Sequence, residues 1–531
     1  MHSVMDMDVL IIGAGPTGLT AAGLLADHGV RVLVVERNPG TGDEPRAISV
    51  ADETLRVMQQ IGIVDRLVPE MLTDTGARYF GRHGQLLAEV HPASSRLGQP
   101  GKSQFDQPVL EELLLDAVRG RDRVELRFET EAFSVRDTGD HVETTVLGPQ
   151  GRTVVHARWV VACDGGRSPV RCQLGIPMEG STQVEEWIVV DLLGTGEHER
   201  FAEFHCNGTR PAVVVPGVKG RCRFEFMLLP GETAEQVTTP DMVATLVEPY
   251  LHRRVAPEDI RRARVYVAHQ RVALRYRQGR VLLAGDAAHM MPPFAGQGMN
   301  AGIRDAANLA WKIAAAVHGT GTDALVATYE TERRPHAEQM VKLSRRIGQI
   351  VMSTDSRVTL ARDLLLRGTG LVPSLKSWIT AMKFLKQPHH TRGCVAPVPG
   401  GLPKTVAGLV GRSLSQPAVR LPGGDTAPLD TLLGSGWNAL RFAAGAGIEV
   451  IPLDATPGAA DGRVVVADLS GSFAGLRAEP VTLLVRPDRY VAAAAPAGRE
   501  AEAFAALVEF VPWLADAWRR HQERLQPPIP S

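Results

Sequence analysis

Apolar and polar positions divide the chain into stretches of different rhythm. Between residues 8 and 36, DVLIIGAG is an apolar run ended by glycines, and RVLVVE is a second one. Between them Leu19, Ala22, Leu25 and Ala26 recur at helical spacing, with Gly29 as the C′ residue. Runs that apolar suit strands buried on both faces, so this stretch predicts strand, glycine turn, helix and strand, a βαβ unit. QPVLEELLLDAVR (107–119) reads as an amphipathic helix. Residues 123–161 alternate instead, which predicts an antiparallel sheet. Four strand-like runs across 186–275 predict a separate inserted sheet. RVLLAGD (280–286) returns to the buried-strand pattern, and helices are expected over 301–318 and about 323–349. Past 395, Pro and Gly rise in VAPVPGGLPKTVAGLVG. Short strand-like runs, among them ALRFAAG (439–445), and a helix over 499–524 then predict a small α/β unit.

The expected fold class is therefore α/β with an α+β insert. The expected domains are 1–180 with 270–395, 181–269, and 396–531. A chain of 531 residues is long enough for two or three domains. Its 44% hydrophobic and 22% charged content suits a globular protein. A formal net charge of -1 gives no basic field for nucleic acid or a membrane surface. The five cysteines (163, 172, 206, 222, 394) form no C-x-x-C pair and no zinc spacing. The first residues lack a basic n-region, and no apolar run reaches the ~18 residues of a membrane span. A cytoplasmic location is the expectation.

GAGPTG (Gly13, Gly15, Gly18, with Pro16 and Thr17 inside it) follows a strand and opens a helix. The first glycine permits the turn, the second lets a pyrophosphate approach, and the third lets helix and strand pack closely. Glu36 ends the next strand, where a carboxylate can hold a ribose diol. GTGTDA at Gly319 and GSGWNA at Gly434 share the spacing but lack this context. VVACDGGRSPVR (160–171) reads as a strand ending near Asp164, then a turn capped by Ser168. Asp286 ends a strand where sugar or phosphate hydroxyls would lie, and GQGMN opens a helix whose N-terminus favours an anion. Asp286 and His289 are only two possible metal ligands, short of a convergent set, so no metal is expected.

Taken together, these three motifs resemble those of the single-component FAD-dependent aromatic hydroxylases of the p-hydroxybenzoate hydroxylase type. ACDGGRSPVR, WIVVD, RFEFMLLPGET and RVLLAGDAAHMMPPFAGQGMNAGIRDAANLAWK look most like the 3-(3-hydroxyphenyl)propionate hydroxylases, over residues 8–350. The C-terminal part resembles an appended thioredoxin-like domain, without its C-x-x-C. The resemblance makes 1–180 and 270–395 an FAD-binding Rossmann-like domain and 181–269 the substrate-binding sheet domain. It implies FAD held by Gly13, Gly15, Pro16, Thr17, Gly18, Glu36, Arg37, Arg46, Gln107, Asp164, Gly285 and Asp286. It further implies that Pro293, Gly296, Gly298, Met299 and Asn300 line the flavin ring. NADH or NADPH would be a transient co-substrate, and O2 would react to a flavin hydroperoxide that hydroxylates a phenol.

His205, Arg210, Arg223, Phe224, Phe226 and Phe294 are the substrate-binding candidates, an arginine suiting a substrate carboxylate. Pro293, His269 and Tyr266 are the catalytic candidates, with His or Tyr taking the phenolic proton. The substrate is a 3-(3-hydroxyphenyl)propionate-like acid or, alternatively, a larger polycyclic or secondary-metabolite phenol that is hydroxylated or epoxidised. A non-enzymatic FAD-fold binding protein is the reading from another class, but it would not need GDAAH and GQGMN. A flavin halogenase would show W-x-W-x-I-P, and no two tryptophans here lie two apart. The choice of NADH or NADPH and the oligomeric state, with a homodimer as the candidate, stay open.

Overall fold

The apolar run at the start of the chain forms the strand Val4–Ile12, whose last residues lie at the centre of an eight-stranded sheet. It pairs in parallel with Gly151–Ala162 on one side (Val9 opposite Trp159) and with Val32–Val35 on the other. This is a computed structural model describing residues 4–91, 96–251, 253–368, 387–442, 447–453, 463–476 and 480–525. Val281–Leu283 continues the parallel set beyond Gly151–Ala162. The expected antiparallel sheet over 123–161 is partly different. Val124–Arg127 joins the parallel set beside Val32–Val35, and only Glu131–Asp137, Val142–Gly148 and Gly151–Ala162 form an antiparallel meander. Alternation has the same period in either direction. The helix Gln107–Arg119, packed on the helix Pro16–Asp27, supplies the crossover that a parallel neighbour needs.

The helix Gly298–Val317 packs against Pro16–Asp27, and Asp323–Val351 packs against it in turn. Close approach is paid for in glycine: a Cβ at Gly302 would stand 2.3 Å from Thr17 Oγ1. The second sheet also has eight strands. Its centre is Met178–Leu192, Cys222–Met227, Ala212–Pro216 and Phe201–His205, flanked by Ile260–Ala273. Two strands inside the expected first segment, Gly76–Phe80 and Leu86–Val90, extend it, with Gly76–Phe80 parallel to Phe201–His205. The sheet therefore does not begin at residue 181. Short runs such as GARYF do not carry the identity of their partner.

A third, seven-stranded sheet runs from Ala418–Arg420 to Val491–Pro496, and all its pairings are antiparallel. The helix expected over 499–524 is two, Glu500–Ala505 and Leu514–Leu525, separated at Pro512, which cannot continue a helix from the preceding turn. Positions 443–445 of the run at 439–445, and 369–386 of the expected first domain, lie outside the described residues. None of the described helices is long and apolar enough to cross a membrane.

Candidate functional site

Two cavities share a wall where the first and second sheets meet. An outer cavity of about 810 Å³ extends from Gly13 past Glu36 and Arg37 to Glu44, and an inner chamber of about 360 Å³ lies between the loop 286–299 and the second sheet. Gly15, Pro16, Arg46, Gln107, Cys163 and Gly165 line both.

The glycine turn explains the outer cavity. Gly13 has φ +108, and a Cβ there would meet the Cys163 carbonyl oxygen at 2.5 Å. At Gly18 it would stand 2.0 Å from the Gly13 oxygen. At Gly15 nothing lies within 4 Å, so only that position opens onto free space at the head of the helix Pro16–Asp27. A cradle with this room beside a helix N-terminus fits a pyrophosphate. Glu36 Oε2 accepts from Ala14 N at 3.0 Å and Oε1 from Asn38 N at 2.9 Å, fixing its carboxylate at the cavity edge. Arg37 is exposed on the same wall. Asp164 Oδ2 accepts from Val170 N at 3.1 Å, whereas its buried Oδ1 has no partner. Burial pushes this carboxyl up. An orphaned acceptor of this kind suits a ligand rich in hydroxyls. Gln107 accepts from Ala47 N at 2.6 Å and donates to Glu111 Oε1 at 2.6 Å, which fixes it between the two cavities. These residues fit FAD.

The loop after Val281–Leu283 closes the inner chamber. Gly285 turns with φ +61, close against Thr17, and sets Asp286 facing the chamber. Solvent-sized space reaches Asp286, but protein surrounds it, and burial pushes its carboxyl up. His289 does not face a ligand. Its Nε2 lies 2.6 Å from Asp305 Oδ2, which also accepts from Gly285 N at 3.1 Å, while Arg333 Nε donates to Asp305 Oδ1 at 2.8 Å. His289 is thus the link that holds the loop to its helix. Pro293, Phe294, Gly296, Gly298 and Met299 line the chamber. Asn300 does not line it. Its amide accepts from Ala51 N and Thr54 Oγ1 and donates to the Ser49 and Gly296 oxygens, so every bond it can make is spent holding neighbouring chain.

The substrate-side candidates divide sharply. Along Cys222–Met227, Arg223 and Glu225 face the chamber, and strand alternation turns Phe224 and Phe226 to the opposite face, under the helix Pro240–Leu251. His205 points that way too, stacked on Phe80 at 4.9 Å and edge-on to Tyr250. Arg210 is bound to Glu232 and the Met227 oxygen, away from the chamber. His269 is exposed on the sheet and bonded to Thr182. These five are not chamber residues. Arg223 is, but its guanidinium is occupied by Asp191 and by the Pro45 and Arg46 carbonyls. Tyr266 lies behind the wall and donates to Glu225 Oε2 at 3.0 Å. Burial pushes the Glu225 carboxyl up, against the opposing pull of Arg223 and Tyr266.

Sequence reasoning missed Glu225, Phe204, Lys102 and Gln104, all on the chamber wall. For Glu225 a signal existed: in RCRFEF, taking Arg223 as inward requires Glu225 inward and both phenylalanines outward. Among the described residues the convergent metal-type cluster is His141, Glu143 and His156, on the meander and remote from both cavities.

A family model described as FAD binding domain matches residues 6–344. A 3-(3-hydroxy-phenyl)propionate/3-hydroxycinnamic acid hydroxylase of Mycolicibacterium smegmatis is 38% identical over 96% of this chain and 94% of its own. A second, from Burkholderia vietnamiensis, is 36% identical over 95% and 96%. The solved OxyS anhydrotetracycline hydroxylase from Streptomyces rimosus is 27% identical, with a TM-score of 0.74 over 96% of this chain and 99% of that one. The flavin-dependent monooxygenase PieE, solved with FAD and substrate, shares the fold with a TM-score of 0.76 over 98% and 99% at 22% identity. The cradle, the chamber and relatives matched along nearly their whole length agree: the chain belongs to the FAD-dependent aromatic hydroxylases, within the FAD-binding-domain family.

Proposed function

We propose that the protein hydroxylates a phenolic acid of the 3-(3-hydroxyphenyl)propionate type, with NAD(P)H and O2 as co-substrates, in the cytoplasm. The observation that carries this reading is the match to relatives of that name, which spans the second sheet and hence the chamber wall. The chamber's size supports it, since about 360 Å³ shared with a flavin ring leaves room for a substrate of one ring.

Gly13, Gly15, Gly18, Glu36, Arg46, Gln107, Asp164 and Asp286 would hold FAD. Bound FAD supplies the redox chemistry, taking electrons from NAD(P)H and delivering one oxygen atom of O2 to the aromatic ring. The protein positions the ring and keeps water out. Phe204, Val213, Val215, Pro293 and Phe294 give the chamber an apolar lining, with Phe294 braced edge-on by Trp187 at 5.5 Å. Glu225 is placed to take the phenolic proton, with Tyr266 steadying its Oε2.

A larger polycyclic phenol is the second reading, favoured by the likeness to OxyS over nearly the whole chain. NAD(P)H oxidation and O2 uptake against a panel of phenols, with product analysis, separates the two. The phenolic acid should stimulate oxidation with close to one hydroxylated product per NAD(P)H. Stimulation by polycyclic phenols alone would sink the first reading.

A further inference from the structure

One cation of the inner chamber is left over once cofactor and phenol are accounted for. Lys102 directly precedes the short strand Ser103–Gln104, which pairs with Ser49–Val50. Its carbonyl accepts from Thr75 N at 2.7 Å, so its backbone is fixed, and its side chain lines the chamber. Among the described residues Lys102 Nζ has no hydrogen bond and no ion pair. The other chamber cations have tasks: Arg223 is bound to Asp191 and two carbonyls, and Arg46 stands on the wall shared with the outer, cofactor cavity.

The chamber carboxylates, Glu225 and Asp286, do not offset the charge on Lys102. Burial alone drives its ammonium down, to about 8. A lone charge in such surroundings is costly unless an anion joins it. A second observation points the same way. Gln104 accepts from Ser49 Oγ at 2.8 Å, and its buried Nε2 has no partner. Residues two apart in extended chain project to one side, and both side chains line the chamber. An ammonium and an amide N–H, both unpaired on one wall, match the two oxygens of a carboxylate.

We propose that Lys102, with Gln104 beside it, is the anchor for the carboxylate of the substrate, and so the residue that selects phenolic acids over neutral phenols. The proposal rests on the phenolic-acid reading. It leaves Glu225, on the sheet wall, free to serve the phenol end.

The test compares 3-(3-hydroxyphenyl)propionate with the neutral 3-(3-hydroxyphenyl)propanol on FAD-loaded wild type, Lys102→Met and Lys102→Arg. Kd is read from the substrate-induced change in the flavin spectrum, and KM and kcat from turnover. Lys102→Met should weaken acid binding about 10- to 100-fold, the range of a charge-assisted hydrogen bond, and change alcohol binding by less than about twofold. In wild type, acid binding should weaken as pH rises past about 8, where the ammonium is lost. Lys102→Arg should keep acid binding and lose that pH dependence, because a guanidinium does not titrate there. Equal losses for acid and alcohol in Lys102→Met would overturn the anchor. So would a fall in FAD content or a raised KM for NAD(P)H with acid binding intact, since the lysine would then serve a cofactor. A wild type that binds acid no better than alcohol overturns the phenolic-acid reading itself, and the anchor with it, before any variant is compared.

Discussion

Gly13, Gly15 and Gly18 share one motif but serve different needs. Gly13 and Gly18 are pressed against backbone oxygens, whereas Gly15 faces open space. The two kinds of glycine should therefore separate in experiment. Gly18→Ala forces a methyl into the Gly13 carbonyl and should lower the stability of the FAD-free protein by about 1–3 kcal/mol, seen as a lower Tm. Gly15→Ala meets no atom of the protein, so the Tm of the FAD-free protein should hold while FAD affinity, measured by fluorescence titration, falls at least about tenfold. An unchanged FAD affinity in Gly15→Ala would remove the pyrophosphate from that cradle. This part of the site was legible because it depends on local backbone, and the spacing G-x-G-x-x-G encodes local backbone. The substrate wall was legible only in rhythm. RCRFEF shows that alternate residues share a face, but nothing within six residues says which face meets the chamber. Phe224 and Phe226 suit a phenol by their chemistry, but the phase of their strand turns them into the core under the helix Pro240–Leu251.

At the scale of elements, one carboxylate joins three of them. Asp305, on Gly298–Val317, holds the turn at Gly285, the ring of His289 and the Arg333 guanidinium of Asp323–Val351. Periodicity located the two helices and the buried strand. It could not reveal this junction, because the partners lie 16, 20 and 28 residues from Asp305 and each looks ordinary alone. Burial pushes the Asp305 carboxyl up, but His289 and Arg333 outweigh it and hold the group below its ordinary 3.8. Asp305→Asn leaves Arg333 buried without its counter-charge and should cost about 3–5 kcal/mol. Denaturant unfolding measures the cost. The same change loosens the Gly285–His289 turn, which carries Asp286, so FAD should also bind more weakly. A loss below about 1 kcal/mol would mean that the junction adds nothing beyond packing.

Across the whole molecule, buried ion pairs fasten the third sheet to the helices behind the FAD site. Glu332, on Asp323–Val351, accepts from both Nη atoms of Arg486 at 2.9 and 2.8 Å and from Lys312 Nζ at 2.8 Å. It also accepts from the Cys394 amide at 2.8 Å. Asp430 pairs bidentately with Arg56 at 2.7 Å, and Trp311 meets Trp437 edge-on at 5.6 Å. Cys394 is buried here with its thiol pushed up to about 12, which suits packing and not thiol chemistry. None of this could be read from composition, since Glu332 and Arg486 stand 154 residues apart. Burial pushes the Glu332 carboxyl up, yet Arg486 and Lys312 outweigh it and hold it well below its ordinary 4.5. A group whose folded value is depressed stabilises fully above its unfolded value and loses that contribution as pH falls through the folded one. The attachment of the third sheet should therefore be intact at neutral pH, begin to weaken as pH falls past 4.5 and be lost well below it. Glu332→Gln removes the shared anion at every pH and takes the ion-pair partner from buried Lys312, while Arg486 keeps Asp488. Calorimetry at neutral pH should then show the C-terminal unit melting in a separate, earlier transition, with FAD retained up to the second. Adding Lys312→Met should bring the two transitions back toward each other, because it removes the stranded charge. A single transition at the wild-type temperature in Glu332→Gln would show that the apolar contacts around Trp311 and Trp437 hold the unit unaided.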